Sequence, residues 1–441
     1  MKKPLPPPDI YPTILKLSSK KMAELISGHA DPLPGGKYRH WDSLRHLEPP
    51  EGLTSEEWWA VVKLSRMPLK KNLPLLAING TPFHFMMVDP VIEMIQKIDS
   101  AASGRISEDV TNRETRDRYI VDSLIEEAVT SSQIEGASTT GSVARKMLRT
   151  QRKPRDRNEL MILNNYRAME EVKNLKGQKI TPKVMLSLQE VLTRDTLDDA
   201  GAAGRLRRDK DETTVKDPRD QSILHVPPPA TELAARLTAL CNFANRRTPE
   251  YFVHPAIRAI VLHFMVGYDH PFVDGNGRTA RALFYWSMLE QGYWLVEYLS
   301  ISGILKKAPV QYARSYLYSE SDDGDLTYFI IYHLQVILRA IERLDEYLVK
   351  RMKELRETET LLRRSDELNH RQLGLVSHAL RHPGARYSIR AHGNSHRVSY
   401  MTARSDLLKL AERDFLIRKK VGNKWVFIAP ENLSDLLREE D

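Results

Sequence analysis

The sequence predicts a mainly α protein: a helical core with a small β-hairpin flap, a helical N-terminal region and a C-terminal winged helix. Three observations predict it. Apolar residues recur at helical spacing along most of the chain, most strongly at Ile257, Ile260, Val261, Phe264, Met265 and Tyr268, as a buried helix face requires. Within the core, two short β-prone pieces flank a turn at 213–226. The last seventy residues then run helix, helix, helix, hairpin.

At 441 residues the chain exceeds one hydrophobic core. Composition shifts divide it into an N-terminal arm and helical region (1–104), a core (105–350), a helical linker (351–368) and a C-terminal module (369–441). The hydrophobic and charged fractions, 41% and 28%, are ordinary for a soluble protein. A net charge of +8 permits an acidic partner without requiring one. The single cysteine, Cys241, excludes an intrachain disulfide and a cysteine metal cage and suits a reducing, cytoplasmic setting. Met1-Lys-Lys-Pro-Leu-Pro-Pro-Pro has no apolar core behind its lysines, so no secretory signal is expected. The longest apolar runs fall short of a membrane span, and no membrane partner is expected.

Residues 1–17 are proline-rich and read as an extended arm. Residues 18–104 read as a small helical region, with helical spacing at Lys20–Ile26 and Ser55–Ser65 and punctuation at 49–52 and at Gly80-Thr-Pro82. Trp58 and Trp59 belong to a core or an interface. Residues 115–135 form one amphipathic helix with Ile120, Leu124, Ala128 and Ser131 on a stripe. Gly136 suits its C-terminal cap. Glu135 is thereby a carboxylate at the end of the helix that repels anions; it either points into water or answers a cation from elsewhere. Helices follow at 141–151, 157–175 and 182–194, the last begun by the Thr181-Pro182 cap. The 213–226 hairpin is either a flap or a connecting loop. Helices resume at 231–246, 254–269, 277–291, 308–318 and 326–356.

Between two of these helices lies His270-Pro-Phe-Val-Asp-Gly-Asn-Gly-Arg278, continuing to Arg281. Glycines at a helix start let backbone N–H groups converge where the helix dipole is positive, an anion cradle suited to phosphate. Arg278 and Arg281 are neighbours on the first turns and would repel each other unless they met an anion. Asp274 beside a polyphosphate calls for a bridging cation, Mg²⁺. His270, neutral near pH 7, can take a proton from an attacking hydroxyl. Two other uses compete: a plain helix–loop–helix corner, and a zinc site of His254, His263 and His270, whose spacing does not bring all three to one helix face.

The stretch matches HxFx[D/E]GNGRxxR, and on it the chain resembles the Fic family over roughly 115–345. The resemblance implies an all-helical core that transfers the AMP moiety of ATP to a Ser, Thr or Tyr hydroxyl of a protein, itself included. It implies His270 as general base, Asp274 holding Mg²⁺, Gly275, Asn276 and Gly277 as the α-phosphate anion hole, Arg278 and Arg281 on the β/γ end, and Phe272 as the loop's core anchor. The hairpin would be a flap that pins the target's backbone with Ile223, Leu224 and His225. Ser131-x-x-x-Glu135-Gly136 resembles the inhibitory-helix motif [S/T]xxxE[G/N]; it implies that Glu135 pairs with Arg281 and keeps ATP in an unreactive pose. The same glutamate could orient a water for removal of AMP from modified protein. A phosphocholine-type donor fits the motif as well.

The C-terminal module resembles winged helices that follow some Fic cores. Between 371 and 424 it has twelve Lys/Arg against three Asp/Glu, which makes DNA a candidate partner. The recognition helix would be 399–411, with phosphate contacts from Arg404, Arg418, Lys419 and Lys420. Homodimerisation or target docking is the competing use of this module. On the DNA reading the chain is a transcriptional regulator whose core senses nucleotide.

Overall fold

The computed structural model describes residues 2–16, 31–103, 113–211, 213–217, 219–364, 368–421 and 424–439. The helix expected at Lys20–Ile26 and the turn expected at Gly422–Asn423 lie outside them. The chain forms two compact units, Met1–Ser103 with Ser123–Ile341, and Gly104–Asp122 with Glu342–Asp441.

The first unit begins with α1 (Ile10–Lys16), α2 (Trp41–Leu44) and α3 (Ser55–Arg66). The proline-rich arm is therefore not wholly extended: Asp9 accepts a hydrogen bond from the Tyr11 N–H and starts a helix, and Ile10 packs on the cluster of Trp41, Leu44, Trp58, Trp59 and Val62. A capping box between Thr54 and Glu57 starts α3. The helical reading of 18–104 is corrected by an antiparallel hairpin, β1 (Lys70–Leu76) and β2 (Pro82–Met86), ahead of α4 (Asp89–Ser103). Pro74 masked β1, because proline weakens a strand assignment. It sits where the register shifts between Asn72 and Leu76. Asn79-Gly80 lies in the turn that joins the two strands, a dipeptide typical of hairpins. This region is riveted to the core: Lys63 pairs with the buried Asp322 at 2.7 Å, and the Tyr328 hydroxyl donates to the same carboxylate.

The core helices are α5 (Arg113–Ile134), α6 (Gly141–Thr150), α7 (Arg157–Asn174), α8 (Pro182–Thr193), α9 (Leu233–Ala244), α10 (Pro255–Asp269), α11 (Asn276–Glu290), α12 (Ile301–Leu305), α13 (Pro309–Ser321) and α14 (Thr327–Arg364), with β3 (Val215–Lys216) and β4 (Ile223–His225) as the expected antiparallel hairpin. The short helix α12 was not foreseen. All but two residues of α10 and of α11 are buried. Such helices are core elements on every face, and they pack against each other while α11 also meets α7 and α8. The loop joining α10 to α11 is thus held between two almost wholly buried helices.

The second unit contains α15 (His370–Arg381), α16 (Ile389–His396), α17 (Tyr400–Glu412) and α18 (Leu433–Glu439), with β5 (Arg386–Tyr387), β6 (Ile417–Val421) and β7 (Lys424–Ile428) in the order β5-β7-β6. The helix, helix, helix, hairpin order is as expected; β5 and α18 were not foreseen. Leu375, Val376, Ala403, Leu407, Leu410 and Phe427 form its core. Asp406 ties it together by accepting from Arg371 at 2.7 Å and from Asn369 at 2.9 Å. Burial works against its charge, but Arg371, Asn369 and His392 outweigh that and hold its pKa at about 2.

Candidate active site

The loop between α10 and α11 is closed by backbone geometry first. His270 ends α10 in the left-handed region at φ 44°, and Gly275 precedes α11 at φ 82°. A Cβ at Gly275 would lie 2.8 Å from the Thr193 methyl, so α8 passes too close for any side chain. Asn276 then stitches the loop: its Oδ1 accepts from the Phe272 N–H at 2.9 Å and its Nδ2 donates to the Phe272 carbonyl at 2.8 Å. The expected anion-hole role of Asn276 is left to its backbone N–H, because the side chain is spent on the loop. Phe272 is fully buried.

The His270 ring is fixed by one contact, Nδ1 to the Gly267 carbonyl at 3.2 Å. A carbonyl only accepts, so Nδ1 carries the proton and Nε2 presents its lone pair. Burial pushes the ring's pKa down, with His225 and Arg207 adding to the shift, while the Gly267 contact and Glu135 oppose it. His270 is therefore neutral at pH 7, as a base must be. The zinc grouping is not formed: His254 faces Asp99 at 3.2 Å and His263 faces the Tyr312 hydroxyl at 2.8 Å.

The two arginines differ. Arg278 is fully buried; its Nη1 donates to the Leu192 carbonyl at 2.9 Å and its Nη2 reaches Asp274 at 3.2 Å. These two bonds brace α8 against the loop, while the Arg278 Nε is buried without a hydrogen bond. Asp274 takes the Gly275 N–H on its other oxygen at 2.6 Å and leaves 42% of its side chain exposed. One accessible carboxylate beside a helix N-terminus fits Mg²⁺, which draws its remaining ligands from phosphates and water. Among the described residues no group of three or more His, Cys, Asp or Glu could hold a metal unaided.

Arg281 is held from α5. Its Nε donates to the Ser131 hydroxyl at 2.8 Å, and its Nη2 to the Ser131 carbonyl at 3.1 Å and to Glu135 Oε1 at 2.7 Å. Its Nη1 is buried without a hydrogen bond and lies 3.1 Å from where a Gly277 Cβ would be. That same Cβ would lie 2.1 Å from Glu135 Oε1, so the carboxylate rests on the first turn of α11, where an anion belongs. Burial works to raise the Glu135 pKa, but Arg281, Arg278 and His270 outweigh it, and the carboxyl is held below its ordinary value. Gly136, at φ 98°, ends α5 as expected.

Three buried polar residues escaped the sequence reading. Glu127, one per cent exposed, accepts from Ser300 Oγ at 2.9 Å and the Ser302 N–H at 3.0 Å and so seats α5. Gln189 donates to the Asp274 carbonyl at 3.0 Å and accepts the Gly204 N–H at 2.7 Å. Arg207 grips the carbonyls around His270. All these partners are distant in sequence, and no local pattern marks them.

On the flap, Ile223 is 46% exposed and Leu224 half-buried, but His225 is buried. Its Nε2 meets the Tyr268 carbonyl at 2.7 Å and its Nδ1 meets Glu320 at 2.8 Å. His225 is the hairpin's anchor, not part of its outer face. Burial opposes the charged ring, yet Glu320 and the Tyr268 carbonyl raise its pKa overall.

With this geometry in place, the likeness to known proteins is specific. Over 78% of this chain and 97% of its own, a Fic family protein of Desulfovibrio desulfuricans G20 shares the fold with a TM-score of 0.52 at 18% identity. Residues 179–288 match the Fic/DOC family. The chain carries a Fic domain. Protein adenylyltransferase Fic of Nematostella vectensis is 38% identical over 69 residues, 16% of each chain. The enzyme of that name from Drosophila virilis is 36% identical over 69 residues, 16% of this chain and 14% of its own. The match thus spans about a sixth of these relatives' length. Among the described residues no helix is long and apolar enough to cross a membrane.

Proposed function

We propose that this chain transfers AMP from ATP to a Ser, Thr or Tyr hydroxyl of a protein, itself included, and that Glu135 holds the reaction off. One observation carries the proposal: a neutral base, a helix N-terminus and the unpaired Nη1 of a buried arginine converge on one loop, the loop that bears the Fic signature. The names of the Nematostella and Drosophila relatives support it.

His270 Nε2 takes the proton of the target hydroxyl. The hydroxyl oxygen then bonds the α-phosphorus, and the bond from that phosphorus to the β-bridging oxygen breaks, so that pyrophosphate leaves. The first N–H groups of α11 receive the charge on the α-phosphate. Arg281 meets the γ-phosphate; Arg278, whose Nη1 and Nη2 hold Leu192 and Asp274, keeps one unpaired donor, Nε, beside it on α11. Mg²⁺ held at Asp274 would neutralise phosphate charge. Ile223 and Leu224 would offer the flap's edge to the target's backbone. In this scheme ATP labelled on the α-phosphate leaves its label in protein, and ATP labelled on the γ-phosphate does not. The reverse partition indicates a kinase and removes the proposal.

For the second unit we infer a winged helix that contacts duplex DNA. All five residues of β6, among them Arg418, Lys419 and Lys420, are exposed, and α17 turns Tyr400, Met401 and Arg404 outward while burying Ala403, Leu407 and Leu410. Binding by the full chain is expected to weaken steeply with salt, and Lys419→Glu to lower the salt slope by about one. Absence of binding at low salt leaves this face to a protein partner or a second copy of the chain.

A further inference from the structure

We propose that Arg207 is a positioning residue for the transfer: it sets the place of His270 relative to the flap. The inference rests on the reading of His270 as general base.

Arg207 belongs to no helix or strand, yet it is buried, at 7% exposure. Its backbone N–H donates to the Pro271 carbonyl at 2.9 Å. Its Nε donates to the His270 carbonyl at 2.8 Å. Its Nη2 lies 3.3 Å from the Asp269 carbonyl and also donates to the Pro228 carbonyl. One residue, through its backbone N–H and its side chain, thus spans three consecutive residues around the base and the three prolines that follow β4. Among the described residues no carboxylate stands within ion-pair distance of it. A buried guanidinium whose partners are all carbonyls is costly to desolvate; it satisfies the Asp269 and His270 carbonyls at the end of α10 and also reaches the Pro228 carbonyl beyond that helix, which capping alone does not require.

What the arrangement achieves is a fixed span between the two places a target must touch. The flap receives the target's backbone; the base receives its hydroxyl. Arg207 joins the exit of the flap to the left-handed residue that aims the imidazole. His225 and Gln189 support this from either side, through the Tyr268 carbonyl and through Gly204 with Asp274. Neither touches the His270 backbone. A small misplacement of reacting groups is sufficient to cost about 10²-fold in rate.

Charge adds a second signature. The groups facing the His270 ring are His225 from the flap, Glu135 from α5 and Arg207 from the loop before the flap. Arg207 favours the neutral ring. Its removal raises the His270 pKa, and the acidic limb of the rate profile moves to higher pH.

The test uses the full chain in the Glu135→Gly background, with Arg207→Gln, Arg207→Lys and His270→Ala. Arg207→Gln is expected to lower kcat by about 10²-fold with unchanged MgATP affinity, and to move the acidic limb upward in pH. Arg207→Lys keeps the charge, so it leaves the limb in place and recovers part of kcat. Wild-type kcat in Arg207→Gln overturns the proposal. So does a kcat loss matched by an equal loss of MgATP affinity in both variants, which marks a general collapse of the site. Where Arg207→Gln does not fold, the Arg207→Lys profile decides: full kcat overturns the proposal, and reduced kcat with an unmoved limb supports it. Transfer that survives His270→Ala removes the general-base reading itself, a separate outcome.

Discussion

Replacing Glu135 with glycine is expected to raise adenylyl transfer by about 5- to 150-fold, the range that a coupling of about 1–3 kcal/mol between two sites produces. Two anions compete for one cation. Arg281 is buried and cannot swing into solvent; its Nη2 is taken by Glu135 at 2.7 Å and its Nε by Ser131. A γ-phosphate and the Glu135 carboxylate need the same cation and the same first turn of α11. Removing the carboxylate gives both to the nucleotide. A cost to the ligand-free protein accompanies the gain. Arg281 loses its anion, and a buried donor left unmatched costs about 1–3 kcal/mol. Glu135→Gly should therefore melt lower than wild type without nucleotide and recover more when MgATP binds. Initial rates of label incorporation, read beside melting curves with and without MgATP, check both halves. Equal rates in the two proteins remove the inhibitory role.

Adding His270→Ala to that variant is expected to reduce transfer by about 10²- to 10⁴-fold, the contribution of a positioned base, while MgATP still binds. The imidazole makes one side-chain contact, to the Gly267 carbonyl, so its loss leaves the cradle's own links intact. Asn276 still closes the loop on Phe272, and Gln189 still holds the Asp274 carbonyl. Transfer rate and nucleotide affinity should therefore separate. If they fall together, His270 shapes the pocket rather than taking a proton.

The parts of the site legible in the sequence are those whose chemistry is local. His270, Asp274 and the glycines sit within one loop, whereas the helix-end position of Glu135 left water and a distant cation both open until the inhibitory-helix resemblance pointed to Arg281. Illegible were the residues whose role exists only after packing. Arg207 reads as one arginine in a run, and Glu127 as one acid on a helix; burial against carbonyls and serines far along the chain gives them their function. Burial also reassigned three expectations. Asn276 and His225 carry side chains suited to a ligand but spend them at Phe272 and Glu320, and Arg278 gives Nη1 and Nη2 to Leu192 and Asp274 and keeps only Nε unpaired. In the fold, helices with a strong apolar period were found nearly to their ends, because their pattern repeats every turn. The β1–β2 hairpin was lost to Pro74 and a run of lysines, since its pairing with a neighbour outweighs a poor local pattern.

The central claim is a transfer centre held off by a carboxylate from its own chain. Intact-protein mass spectrometry after incubation with MgATP tests it most directly, on wild type, Glu135→Gly and Glu135→Gly with His270→Ala. The account predicts an added adenylyl mass that accumulates in Glu135→Gly, lags far behind in wild type and is lost in the double variant. An adduct that grows equally in wild type and Glu135→Gly, or persists without His270, contradicts it.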